Sequence, residues 1–110
     1  VNMADTLKGV NHDLTTSLGD SAVTAGGSEI ITIIGLQVAN IHASNAGTLD
    51  VYVERASGDD GYVVKGISIP VADTLSVVQG KLVLGAGDAI QMKCNATSTL
   101  EATVSFLSQT

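Results

Sequence analysis

Between Glu29 and Ile41 the apolar residues refuse a simple alternation. Ile30, Ile31, Ile33, Ile34, Leu36 and Val38 would place hydrophobic side chains on both faces of a strand. A strand of a small antiparallel sandwich normally keeps one wet face. This one therefore predicts two covers, the chain's own second sheet and a neighbouring molecule. The run is also β-branched, uncharged between Glu29 and His42, and free of proline. Such a strand is prone to aggregate unless an assembly buries it.

The remainder of the chain reads as strands between turn signals. Leu49, Val51 and Val53 alternate with Asp50, Tyr52 and Glu54, a period of two. Ala56-Ser-Gly-Asp-Asp-Gly61 is a hairpin loop leading to a returning strand from Tyr62 to Ile69, stopped by Pro70. Leu75 to Val78 and Lys81 to Leu84 are short strands pivoting on Gln79-Gly80. Ile90, Met92 and Cys94 share one face of the next strand, and Leu100, Ala102, Val104 and Phe106 share one face of the last. About seven or eight short strands at regular spacing predict an all-β antiparallel β-sandwich, with jelly-roll and immunoglobulin-like topologies both open.

Residues 1–28 differ in character, being rich in Asp, Asn, Thr, Ser and Gly and ending at Gly26-Gly27. Leu7, Val10, Leu14 and Leu18 recur at helical spacing, but Gly9, Asn11, Thr15 and Thr16 oppose a stable helix. The segment reads as an extended N-terminal arm, docking through those four side chains, ahead of a sandwich domain over 29–110. A local strand or helix packed on its own domain is the alternative.

Composition narrows the function. At 110 residues the chain is one domain with a limited core, and only three residues are aromatic: Tyr52, Tyr62 and Phe106. Aliphatic sandwiches of this size often gain stability by oligomerising. The net charge of −6 and the five scattered cations Lys8, Arg55, Lys65, Lys81 and Lys93 argue against direct nucleic-acid binding. No apolar run is long enough for a membrane helix. Val1 to Asp20 has neither the basic start nor the apolar centre of a secretory leader, and the single Cys94 makes no internal disulfide, which fits synthesis in a reducing cytoplasm.

Catalytic chemistry finds little support. His12 and His42 lie in different regions without ligand-spaced partners, so no metal and no cofactor is expected. Asp59-Asp60 offers fewer oxygens than a calcium loop needs and is explained by turn chemistry. Gly85-Ala-Gly-Asp88 leads into a strand, so it lacks the helix N-terminus of a phosphate loop. Cys94, beside Ile90 and Met92, reads as a small buried hydrophobe. Asn95-Ala-Thr97 matches a glycosylation sequon that carries little weight without a leader. The chain is not expected to be an enzyme.

From Ile30 onward, about three-quarters of its length, the chain resembles small β-sandwich virion proteins of tailed phages, familiar from phages of marine bacteria and cyanobacteria. The matching segments are Ile34-Gly-Leu-Gln-Val-Ala-Asn40, Leu49-Asp-Val-Tyr-Val53, Tyr62-Val-Val-Lys-Gly-Ile-Ser-Ile-Pro70, Lys81-Leu-Val-Leu-Gly-Ala-Gly-Asp-Ala-Ile90 and Ala102-Thr-Val-Ser-Phe-Leu107. The resemblance implies a structural role, first as a capsid decoration (cement) protein on the virion surface. The expected partners are further copies of the chain, a trimer being favoured, and the major capsid protein. A neck, tail or fibre-base component is the alternative in the same class, and a carbohydrate-binding attachment module using Tyr52 and Tyr62 the alternative outside it. The expected interface comprises Leu7, Val10, Leu14, Leu18, Ile31, Ile33, Ile34 and Leu36.

Overall fold

In the computed structural model, which describes residues 5–17, 21–78, 80–96 and 99–110, every regular element is a strand. These are β1 (Asp5–Asp13), β2 (Ser21–Thr24), β3 (Ile30–Asn40), β4 (Gly47–Glu54), β5 (Gly61–Ile69), β6 (Thr74–Ser76), β7 (Leu82–Leu84), β8 (Ala89–Cys94) and β9 (Leu100–Gln109). They form two antiparallel sheets. One runs β1-β9-β3-β6 with β7 also on β3, and the other runs β2-β8-β4-β5. β6 and β7 do not form a hairpin about Gln79-Gly80. Both pair with β3 along one edge, Ser76 opposite Gln37 and Leu82 opposite Ile33, as one strand interrupted near Gly80. Counting them as one strand leaves four per sheet, with the chain crossing between sheets at every connection except the β4–β5 hairpin. That order is a jelly roll, and it excludes the immunoglobulin-like topology.

The phase of β3 decides where its apolar side chains go. Ile33 pairs with Phe106 and Gly35 with Ser105, so Ile34 is an extra residue in a β-bulge. A bulge shifts the side-chain alternation by one. Ile31, Ile33, Leu36 and Val38 consequently all point into the sandwich, none more than 2% exposed. The expected second cover is needed for Ile30 and Ile34 alone. Facing Ile31, Ile33, Leu36 and Val38 from the other sheet are Leu49, Val51, Val53, Ile90 and Met92, and β9 adds Leu100, Ala102, Val104 and Phe106. The period-two readings of β4, β8 and β9 hold because each of these strands has one face in this core.

The N-terminal segment is built into both sheets, at least in its described residues. β1 pairs with β9 in an unbroken register from Asp5↔Gln109 to Asp13↔Glu101, and β2 pairs with β8. The extended-arm expectation thus gives way to its alternative, a local strand. The helical spacing of Leu7, Val10 and Leu14 is coincidental, since a nine-residue ladder satisfies the backbone. Leu14 ends the strand as a plug, 1% exposed, with its N–H donating to the Leu100 carbonyl at 3.1 Å. The next residue bridges to Lys93 of the second sheet, and the Cys94 N–H donates to the Thr15 carbonyl at 2.9 Å. One lateral edge of the sandwich is closed this way. The other, between β5 and β6–β7, is lined by the half-buried Val64, Leu75, Val77, Val78 and Leu82.

Candidate assembly surface

In an antiparallel ladder, directly paired residues project from the same face. Leu107 pairs with both Leu7 and Thr32, and Thr32 pairs with Val83. Leu7, Leu107, Thr32 and Val83 therefore form a row across the outer face of the β1-β9-β3-β7 sheet. Ile30 lies one pair beyond, beside Gln109 and Asp5, and bulged Ile34 lies on the other side, near Gly9, Gly35 and Ser105. This face is open to solvent: Leu7 is 73% exposed, Val83 51%, Ile34 48% and Ile30 41%, with Thr32 and Leu107 half-buried between them. Further along the strands the same face turns polar through Asn11, Thr103 and Gln37, and ends in the opposed carboxylates Asp13 and Glu101. Aliphatic side chains gathered on one exposed face and rimmed by polar groups make a candidate interaction site.

The residues expected at an interface divide sharply. Leu7 and Ile34 lie on this patch. Leu14, Ile31, Ile33 and Leu36 are buried in the domain's own core and present no surface in the isolated chain. Val10 is half-buried against that core, and Leu18 lies outside the described residues. Ile30 belongs to the doubly apolar strand read from the sequence, whereas Val83 and Leu107 on this face were not among the expected residues. The alternation Lys81-x-Val83 held a signal for Val83, because its neighbours Leu82 and Leu84 face inward.

The groups considered for chemistry are absorbed by turns and core. His42 Nδ1 accepts the N–H groups of Ser44 and Asn45 at 3.1 and 3.0 Å. Asp60 accepts the Arg55 N–H at 2.7 Å and the Tyr52 hydroxyl at 3.0 Å, which holds that phenol above the ordinary tyrosine range. Tyr52 and Tyr62 are a cross-strand pair, ring centroids 4.9 Å apart and edge-on at 65°. The Lys65 ammonium lies 4.7 Å from the Tyr62 ring centre, so the ring a sugar would stack on already carries a cation. Cys94 is buried. Among the described residues, no three His, Cys, Asp or Glu side chains group as metal ligands, and no helix is long and apolar enough to cross a membrane.

Asp88 is a strongly organised polar group, and it is structural. Its carboxylate, on a side chain 11% exposed, accepts the N–H groups of Ala56 and Gly85, each at 2.9 Å, and an Arg55 guanidinium N–H at 2.9 Å. The turn after β4 and the turn before β8 are tied together through it. The Ala56 N–H first, then the Arg55 guanidinium, hold this carboxyl below the ordinary aspartate range. A lowered native value means that protons favour the unfolded chain. Stability from Asp88 is therefore present above about pH 4 and lost as pH falls through the native value. Thermal melts from neutral to acid pH should show a fall in Tm below about pH 4 that is shallower in Asp88→Asn, whose Tm is lower at neutral pH and converges on that of the wild type in acid. Equal acid slopes would show that Asp88 does not contribute.

No protein-family model and no curated protein sequence matches the chain. Among solved structures, a chain of the acid-stable capsid of Helicobacter pylori bacteriophage KHP30 shares the fold. The TM-score is 0.53 at 6% sequence identity, and the match covers 99% of this chain and 92% of that one. The two chains are thus of comparable length, and the likeness spans the whole sandwich, N-terminal strands included.

Proposed function

We propose that the chain is a non-enzymatic structural protein of a phage particle, most specifically a capsid decoration protein. In this reading it is made in the host cytoplasm, binds the exterior of the shell and reinforces the joints between capsomers. The observation that carries the proposal is the end-to-end fold likeness to a phage capsid chain of similar length. The aliphatic outer face around Leu7, Ile30, Ile34 and Val83 supports it by supplying a surface for further copies of the chain or for the major capsid protein. A decoration protein acts through buried area, and a contact of about 1,000 Å² or more is specific and durable. Many such contacts repeated around a closed shell resist internal pressure without any single one being tight.

Two measurements test this. Mass spectrometry of particles of the encoding phage should find the chain in many copies per shell. A few copies, as in a single ring, would move it to the neck or tail, and its absence would overturn the virion role. Light scattering after gel filtration should give an oligomer, a trimer being favoured, that Leu7→Asp with Ile34→Asp dissociates. A monomeric wild-type chain, or an oligomer unmoved by both substitutions, would remove the outer face as the surface joining copies.

A further inference from the structure

β1 is held chiefly by its backbone. Seven of its nine residues are exposed, only Val10 and His12 being half-buried, yet its ladder to β9 runs without a register break. Buried side chains are what raise an element's cost of opening, and a peripheral ladder alone gives little. The last pair of that ladder sets Asp13 directly opposite Glu101 on the outer face. Directly opposed side chains have Cβ atoms about 5 Å apart, and like charges placed so are destabilising.

The surroundings do not neutralise this pair. Its neighbours on the same face are Asn11 and Thr103 one pair along, with Ala39 and Gln37 of β3 beyond. His12 lies on the opposite face of β1, with Nε2 buried and unpartnered. At the strand's other end the Gln109 amide donates to Asp5 at 3.2 Å, and Lys8 acts electrostatically on Glu29. Glu29 in turn accepts from the Ser108 hydroxyl and the Gly26 N–H.

We infer that β1 is an acid-tightened edge strand: the Asp13–Glu101 pair loosens its C-terminal end when both carboxylates are charged, and clamps it when they share a proton. The hydrogen bond to Asp13, then that neighbour's charge and burial, push the Glu101 carboxyl above the ordinary glutamate range. A raised value in the docked state means that docking is strengthened at low pH, and the gain is lost as pH rises through the raised value. Asp88 and Glu29, both held low, act in the opposite sense. They bound the effect from below at about pH 4. The device depends on the ladder and not on a virion role, so either idea can fail alone.

Hydrogen exchange of the full chain, corrected for intrinsic rates, tests it by comparing about pH 7.5 with about pH 5. Protection of the β1 amides relative to those of β8 should rise on the order of two- to fivefold on acidification. Glu101→Gln and Asp13→Asn should show the acid level of protection at both pH values. A flat wild-type response would overturn the inference. So would a Glu101→Gln variant that keeps the wild-type response, which would show that the Asp13–Glu101 pair is not its source.

Discussion

Ile33→Asp is expected to abolish folding, whereas Ile34→Asp, one residue on, should leave the isolated domain's stability within about 0.5 kcal/mol of wild type. Ile33 is fully buried, opposite Phe106 and Leu82. Removing its side chain to the Cβ costs about 2–5 kcal/mol. Burying an unpaired carboxylate adds several kcal/mol more. Together these consume most of the roughly 5–15 kcal/mol that holds a domain of this size folded. Ile34, at 48% exposure, is the extra residue of the bulge and lies outside that core. Circular dichroism and urea unfolding of the two variants check the phase of β3, with Ile33→Val, expected to cost about 1 kcal/mol, as a folded control. A folded Ile33→Asp beside an unfolded Ile34→Asp would put the bulge in the wrong place.

Gly87→Ala should destabilise the chain by about 3 kcal/mol, against about 1 kcal/mol for Gly58→Ala. Both glycines have positive φ, 83° and 105°, so each substitution carries a conformational cost. Only Gly87 adds a collision: a Cβ there would lie 2.8 Å from the Ala56 Cβ, whereas one at Gly58 meets nothing within 4 Å. Ala56 cannot retreat freely, because its N–H is bonded to Asp88, and the Gly87 N–H is itself bonded to the Ala25 carbonyl at 3.1 Å. Urea midpoints at constant m-value measure both substitutions. Equal losses would mean that the two turns are not packed as described.

The strands with one buried face were legible in the sequence. Leu49-x-Val51-x-Val53, Ile90-x-Met92-x-Cys94 and Leu100-x-Ala102-x-Val104-x-Phe106 all face the core as their spacing predicts. β1 was not legible: Leu7, Val10 and Leu14 lack a strand's alternation and the segment reads as an arm, whereas the strand forms because β9, almost the whole chain away, supplies its hydrogen bonds. Asp88 looked like an ordinary turn residue, because its partners Arg55 and Ala56 are 33 and 32 residues distant.

The outer apolar face lies between these cases. The surplus of apolar residues in 30–38 is a property of the sequence, as are the aliphatic core, the acidic charge and the positions of most turns. Those are local facts, set by side-chain chemistry and spacing. Which isoleucines face outward, and that Leu7, Thr32, Val83 and Leu107 meet in one row, was decided by the tertiary structure. Register is the reason: a strand's two faces are exchanged by a one-residue slip, and that slip is set by partners distant in the chain.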